Sequence, residues 1–150
     1  MAETLGSLCD KLTTVKLKQW HTDEEGKQKN LTMQEKQLRE EIDEFISSAI
    51  AGRIPPDRLT FSANKVYKKE GNIVDEVKGQ VGEIIARLAD VNCRLWHVQE
   101  RVYDFEDVPA DQKDGVIKQL ALLNLERNQC IDQLDSTFRG LVEGTGSSGR

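Results

Sequence analysis

Proline is scarce, with 3 residues in 150, and aromatic side chains make up only 5% of the chain. So few breakers and so little aromatic bulk, beside 31% charged and 37% hydrophobic residues, describe a helix-leaning single domain. A chain of this length buries roughly two-thirds of the surface it exposes when unfolded, so neither metal nor disulfide is needed to hold it together. The cysteines, Cys9, Cys93 and Cys130, contain no Cys-x-x-Cys pair and an odd number cannot close a framework, so each is expected as a small buried apolar residue. No apolar run approaches the roughly 20 residues that span a bilayer, and the start, MAETLGSLCDKLTT, has no basic stretch followed by an apolar core. A cytoplasmic protein without membrane contact is expected.

Concentrated positive charge is missing too. Lys+Arg number 21 against 26 Asp+Glu, a net charge of -5, and the basic residues are scattered, which disfavours nucleic-acid backbone binding. There is no Gly-rich phosphate loop, no Ser-His-Asp order and no Cys-His pair in recognisable context, so acyl transfer and P-loop chemistry lack support.

What the chain does have is helical periodicity. Leu5, Leu8, Leu12 and Val15 step by three and four and predict a first helix from about Thr4 to Glu25. The polar run Glu25 to Asn30 reads as an interruption, and Thr32-Met-Gln-Glu35 as the capping box of a second helix with the stripe Leu38, Ile42, Phe45 and Ala49. Gly52 followed by Pro55-Pro56 ends it. Residues 52–71 read as an ordered connection, anchored by Leu59, Phe61, Val66 and Tyr67, with one helical turn around Ala63 to Lys69.

From Asn72 to Asp104 the stripe Ile73, Val77, Val81, Ile84, Leu88, Val91, Leu95, Val98, Val102 predicts one long helix, on the order of 45 Å. That exceeds what a lone small domain requires, so a homodimer packed through this helix is expected. Pro109 opens a fourth helix whose seam reads Ile117, Leu120, Asn124, Arg127, Ile131, Leu134, Phe138, Leu141, and residues 144–150 read as a flexible tail.

Comparing the chain with itself aligns Leu12, Val15, Lys18, Trp20, His21 and Glu24 with Leu88, Val91, Arg94, Trp96, His97 and Glu100 in constant register. Both tryptophans and both histidines fall in this match. The expected fold is therefore all-α: a four-helix bundle of two related hairpins, about 4–51 and 72–141, forming one domain over 1–143.

Four constellations could carry chemistry. His21 with Glu24 and His97 with Glu100 share helix faces at i,i+3, so two facing pairs could hold a divalent metal; the plain alternative is that each Trp-His closes the end of a hairpin. Glu40, Glu41 and Glu44 facing Glu83 and Asp90 resemble the carboxylates with which MazG-type nucleotide pyrophosphohydrolases hold Mg²⁺ against a triphosphate, although Arg87 stands where that pattern has Glu. The plain alternative is a ladder of i,i+4 ion pairs, Glu83 to Arg87 and Asp90 to Arg94. Asn124 and Arg127 interrupt an apolar seam, where a guanidinium needs either a carboxylate to fix helix register or a pocket that takes a small anionic ligand. Together Trp20, His21, Trp96, His97, Asn124 and Arg127 are the residues expected to line a binding site.

The second half is similar to an uncharacterised bacterial family catalogued as domain of unknown function four-two-five-four. The matching residues are Leu95-Trp96-His97, Glu100 and Asp104, then Asn124-x-x-Arg127, then Asp135-Ser136-x-Phe138, spanning about 88–138. The resemblance implies an all-α bacterial protein and no activity. The sequence points to a homo-oligomeric binding or interaction protein, with the pyrophosphohydrolase and the carboxylate-histidine metal bundle as alternatives.

Overall fold

The computed structural model describes residues 2–61 and 77–148, and side chains through 144. Four long helices, α1 (Leu5–His21), α2 (Glu25–Ile50), α3 (Val81–Tyr103) and α4 (Lys113–Ser148), form the all-α bundle, with single 3-10 turns at Pro56–Arg58, Phe105–Asp107 and Ala110–Gln112. The helical turn expected around Ala63 to Lys69, the anchors Val66 and Tyr67, and the stripe residue Ile73 lie outside the described residues.

A capping box does open a helix, at α1: Ser7 N donates to Thr4 Oγ1 at 3.2 Å while Thr4 N donates to Ser7 Oγ at 2.8 Å. The one expected at Thr32 and Glu35 lies inside α2 instead. Thr32 Oγ1 donates back to the Gln28 carbonyl at 2.9 Å, and Glu35 reaches across to Lys16 and Gln19 of α1, each at 3.1 Å. The run Glu25 to Asn30 is helical because the chain reverses earlier, within Thr22 to Glu24. There the Gln28 side-chain amide donates to the carbonyls of Gln19 and Thr22, satisfying acceptors that the end of α1 leaves open.

The end of α2 follows the glycine signal. Gly52 adopts φ +77°, Gly52 N donates to Ala49 O and Arg53 N to Ser48 O, the paired bonds of a Schellman stop. Helix α3 begins nine residues later than the apolar stripe implies, since Gly79 takes φ +118° and Gln80 is the extended N-cap. Val77 is buried from non-helical backbone. With 23 residues α3 is roughly 35 Å long, and the longest helix is α4, whose 36 residues reach roughly 54 Å and continue through Gly144, where a tail is expected.

Two antiparallel pairs share the core. Lys16 and Gln19 on Glu35 join α1 to α2, Arg87 and Arg94 on Glu126 join α3 to α4, and Arg101 on Gln112 ties α3 to the 3-10 turn just before α4. Helix α1 runs parallel to α3 and antiparallel to α4, with Asp10 and Thr13 meeting Asn92, His21 meeting Trp96, and Gly6 meeting Asp135. Helix α2 packs on α1 and reaches α4 near Phe45 and Phe138, whose ring centroids are 6.2 Å apart. The centre is Ile84, Leu88, Val91, Val116, Leu123, Cys130 and Leu134, drawn from α3 and α4. Because α4 and α1 cover the α3 stripe, the apolar face on which a dimer through that helix would rest is already occupied.

Cys9 and Cys130 are buried, which pushes both thiols up to about 11, whereas Cys93 is exposed, contrary to expectation. It follows Val91 and Asn92, and two consecutive residues already fill the inward arc of this helix turn.

Candidate functional site

Both tryptophans and both histidines come to one end of the bundle, where α1 finishes and the last two turns of α3 run on. His21 is the final residue of α1, and its Nδ1 lies 2.8 Å from the Leu17 carbonyl. A carbonyl only accepts, so in this contact Nδ1 carries the hydrogen. The ring stacks on Trp96, centroids 4.5 Å apart and planes 21° apart, and meets His97 edge-on at 6.5 Å. Trp96 is fixed from the other side, its indole Nε1 donating to Glu100 Oε1 at 2.7 Å. The i,i+4 spacing of Trp96 and Glu100 on a straight helix makes this bond possible.

The two Trp-His pairs are not equivalent in their surroundings. Trp96 is half-buried and hydrogen-bonded, while Trp20 is 85% exposed. Glu24 turns to Lys27 at 3.2 Å and not to either histidine, because it lies outside α1, at the N-cap of α2. Among the described residues no group of three or more His, Cys, Asp or Glu side chains is placed to hold a metal ion.

Beside His97 a cleft of about 310 Å³ opens against the turn that links α3 to α4, lined by Glu100, Arg101, Asp104, Asp107, Val108 and Pro109. Three carboxylates face one guanidinium there, so the cleft does not favour the small anionic ligand that Arg127 and Asn124 suggest. Those two residues stand elsewhere. Asn124 Nδ2 donates to the Leu120 carbonyl at 3.1 Å, within its own helix. Arg127 is half-buried, its Nε enclosed without a hydrogen-bond partner and with no ion pair among the described residues. In its first half the buried seam of α4 runs through Val116 and Leu123, one position away from the Ile117 and Asn124 read in the sequence, and it rejoins the expected line at Ile131, Leu134 and Phe138, so Ile117 is 54% exposed and the polar pair is rotated toward the rim.

The acidic constellation is dispersed as well. Helix α2 lies along α1 and α4 and does not pack along α3, which separates Glu40, Glu41 and Glu44 from Glu83 and Asp90. Glu40 pairs with Lys36, Glu41 accepts from Gln37, Glu83 folds over Gly79 and Asp90 meets Arg94 at 3.1 Å. The Mg²⁺ constellation is therefore not assembled. The i,i+4 ladder forms only in part: Arg87 and Arg94 both converge on Glu126 of α4, at 2.9 and 3.1 Å.

Two polar ties escape the sequence reading. Asn92, 5% exposed, donates to Asp10 Oδ1 at 2.9 Å and Thr13 Oγ1 at 2.7 Å. Asp135, 4% exposed, accepts from Gly6 N at 2.7 Å, and burial pushes its carboxyl up to about 6 against the hydrogen bonds from Gly6 and Thr4. Each carries the same signal as Arg127, a polar residue on a buried stripe: Leu88, Asn92, Leu95 and Ile131, Asp135, Phe138.

Comparison with family models, with curated proteins and with solved structures finds no match. No helix among the described residues is long and apolar enough to cross a membrane.

Proposed function

We propose that the chain is a binding and interaction protein, not a catalyst, and that it forms a homo-oligomer through the bundle end bearing Trp20, His21, Trp96 and His97. The observation that carries this is Trp20, 85% exposed beside a fixed ring stack, with Tyr103 81% exposed two turns beyond Trp96. An exposed indole leaves a large apolar area in water, and Trp and Tyr are the side chains that dominate binding energy once enclosed at an interface. The stack of His21 on Trp96 and the Glu100 bond hold those two rings in place, so no freedom of theirs is lost when a partner covers Trp20 and Tyr103.

Sedimentation velocity over a hundredfold concentration range tests the proposal. The chain should sediment as a dimer that Trp20→Ala or Tyr103→Ala converts to a folded monomer, while Ile50→Ala at the opposite end leaves it unchanged. A monomer at every concentration, or a dimer indifferent to both aromatic variants, overturns it.

A further inference from the structure

At the opposite end, the start of α1, the last turns of α2 and the segment after Gly52 enclose a groove of about 420 Å³. Its volume is that of a site for a small organic molecule. The floor is apolar: Leu8 from α1, Phe45 from α2 and Ile54 from the chain beyond the Schellman stop. The Schellman stop at Gly52 matters here, because it folds Ile54 back against the helix it has just left.

The rim is charged, and its charges are not equally occupied. Glu3 is already held by Lys11 and Ser7, which keep its carboxyl below the usual range despite partial burial. Glu41 accepts only the neutral amide of Gln37, at 3.1 Å, and Glu44 has no hydrogen-bond or ion-pair partner among the described residues. Glu41, Glu44 and Phe45 occupy one arc of α2, so the two carboxylates stand directly above the apolar floor. Arg53 lines the same groove and, among the described residues, donates to the Ser48 hydroxyl at 3.4 Å, one helical turn on from Glu44.

We infer that this groove binds a small amphiphilic cation, a primary amine on an apolar body, with the body on Leu8, Phe45 and Ile54 and the ammonium between Glu41 and Glu44. Sign and shape both select it. With Glu3 held by Lys11, Glu41 and Glu44 outnumber the one guanidinium of Arg53, so a neutral apolar molecule gains nothing from the excess negative rim and a carboxylate meets more repulsion than attraction. An inorganic cation has no use for the floor. The inference is independent of the aromatic end and of whether the chain self-associates.

The test is a titration of isotope-labelled full-length protein with hexylamine, hexanol and hexanoate, followed by amide chemical shifts. Hexylamine should give saturable shifts clustered on the segments around Leu8, Phe45 and Ile54, with hexanol at least roughly tenfold weaker, as expected for loss of a charge-assisted contact, and hexanoate without effect. Glu41→Gln with Glu44→Gln should weaken the amine by the same order, whereas Glu40→Gln, which pairs with Lys36 outside the groove, should not. Ser48→Trp, set on the groove wall, should abolish the shifts in a protein of unchanged helical circular dichroism. Absence of saturable shifts, equal response to the three molecules, or indifference to the double glutamine variant overturns the inference.

Discussion

Asp135 of α4 holds the first turn of α1, its Oδ1 accepting the Gly6 amide at 2.7 Å from the far side of the helix interface. The carboxylate thus satisfies one of the amides that a helix start leaves open, at the positive end of the α1 dipole.

Burial nevertheless outweighs these bonds and raises the carboxyl from 3.8 to about 6. For an acid raised in the folded state, the folded form binds more protons between the two values, so stability is greatest below the unfolded pKa and falls as pH rises toward about 6. Asp135→Asn keeps the acceptor and removes the charge. Its stability relative to the parent should grow by about 2 kcal/mol between pH 4 and pH 7, measured by urea unfolding at each pH. A pH-independent difference would contradict the assignment.

Gly6 is there for proximity, not for backbone freedom. A Cβ at this position would lie 2.6 Å from the Ile131 carbonyl and 2.8 Å from Asp135 Oδ1. Gly6→Ala should therefore destabilise by about 1–3 kcal/mol, although alanine is the better helix former, and a denaturation midpoint above the parent's would refute this packing.

Glu126 takes two guanidinium groups, Arg87 and Arg94, with its own side chain only 14% exposed. Glu126→Ala leaves both cations without that partner at the α3 to α4 contact and should cost about 2 kcal/mol. Glu40→Ala, removing an exposed pair with Lys36, should change stability by less than about 0.5 kcal/mol. Thermal melts of the two variants side by side decide it.

Trp96→Ala removes the His21 stack and the Glu100 bond together and should lower stability by about 1–3 kcal/mol. Trp20→Ala should alter monomer stability by less than about 0.5 kcal/mol. Equal losses would restore the equivalence that the aligned Trp-His pairs suggest.

With its carboxylates dispersed over α2 and α3, the chain should release no pyrophosphate from any nucleoside triphosphate in the presence of Mg²⁺ or Mn²⁺. Turnover that is lost on Glu44→Gln would establish the enzyme reading in place of the binding one.

The helices themselves were legible because Leu5, Leu8 and Val15, or Ile84, Leu88 and Val91, repeat at spacings that only a helix makes one-sided. Their limits were less so. A Thr and a Glu three apart look the same at a helix start and in a helix middle, and only Gln28 closing α1 decides that α2 already runs from Glu25. On the 36-residue α4, the difference between adjacent lines of residues is a rotation that apolar spacing alone cannot resolve, so the seam was displaced by one residue at Val116 and Leu123. The alignment singles out both Trp-His pairs but leaves open whether they meet; the convergence of His21, Trp96 and His97, like the Asn92 and Asp135 ties, requires knowing that α1 runs parallel to α3 and antiparallel to α4.

Helix α1 is fastened at three heights by three different chemistries: Gly6 to Asp135, Asp10 and Thr13 to Asn92, and His21 to Trp96. Apolar ridges tolerate sliding by a turn, but these fastenings cannot be re-made one turn away, since no two of them are interchangeable. The helix therefore behaves as a strut. Over the roughly 22 Å from Gly6 to the aromatic end its register is set at both ends and in the middle, so Trp20 and the amide held by Asp135 belong to one rod fixed in place along its whole length.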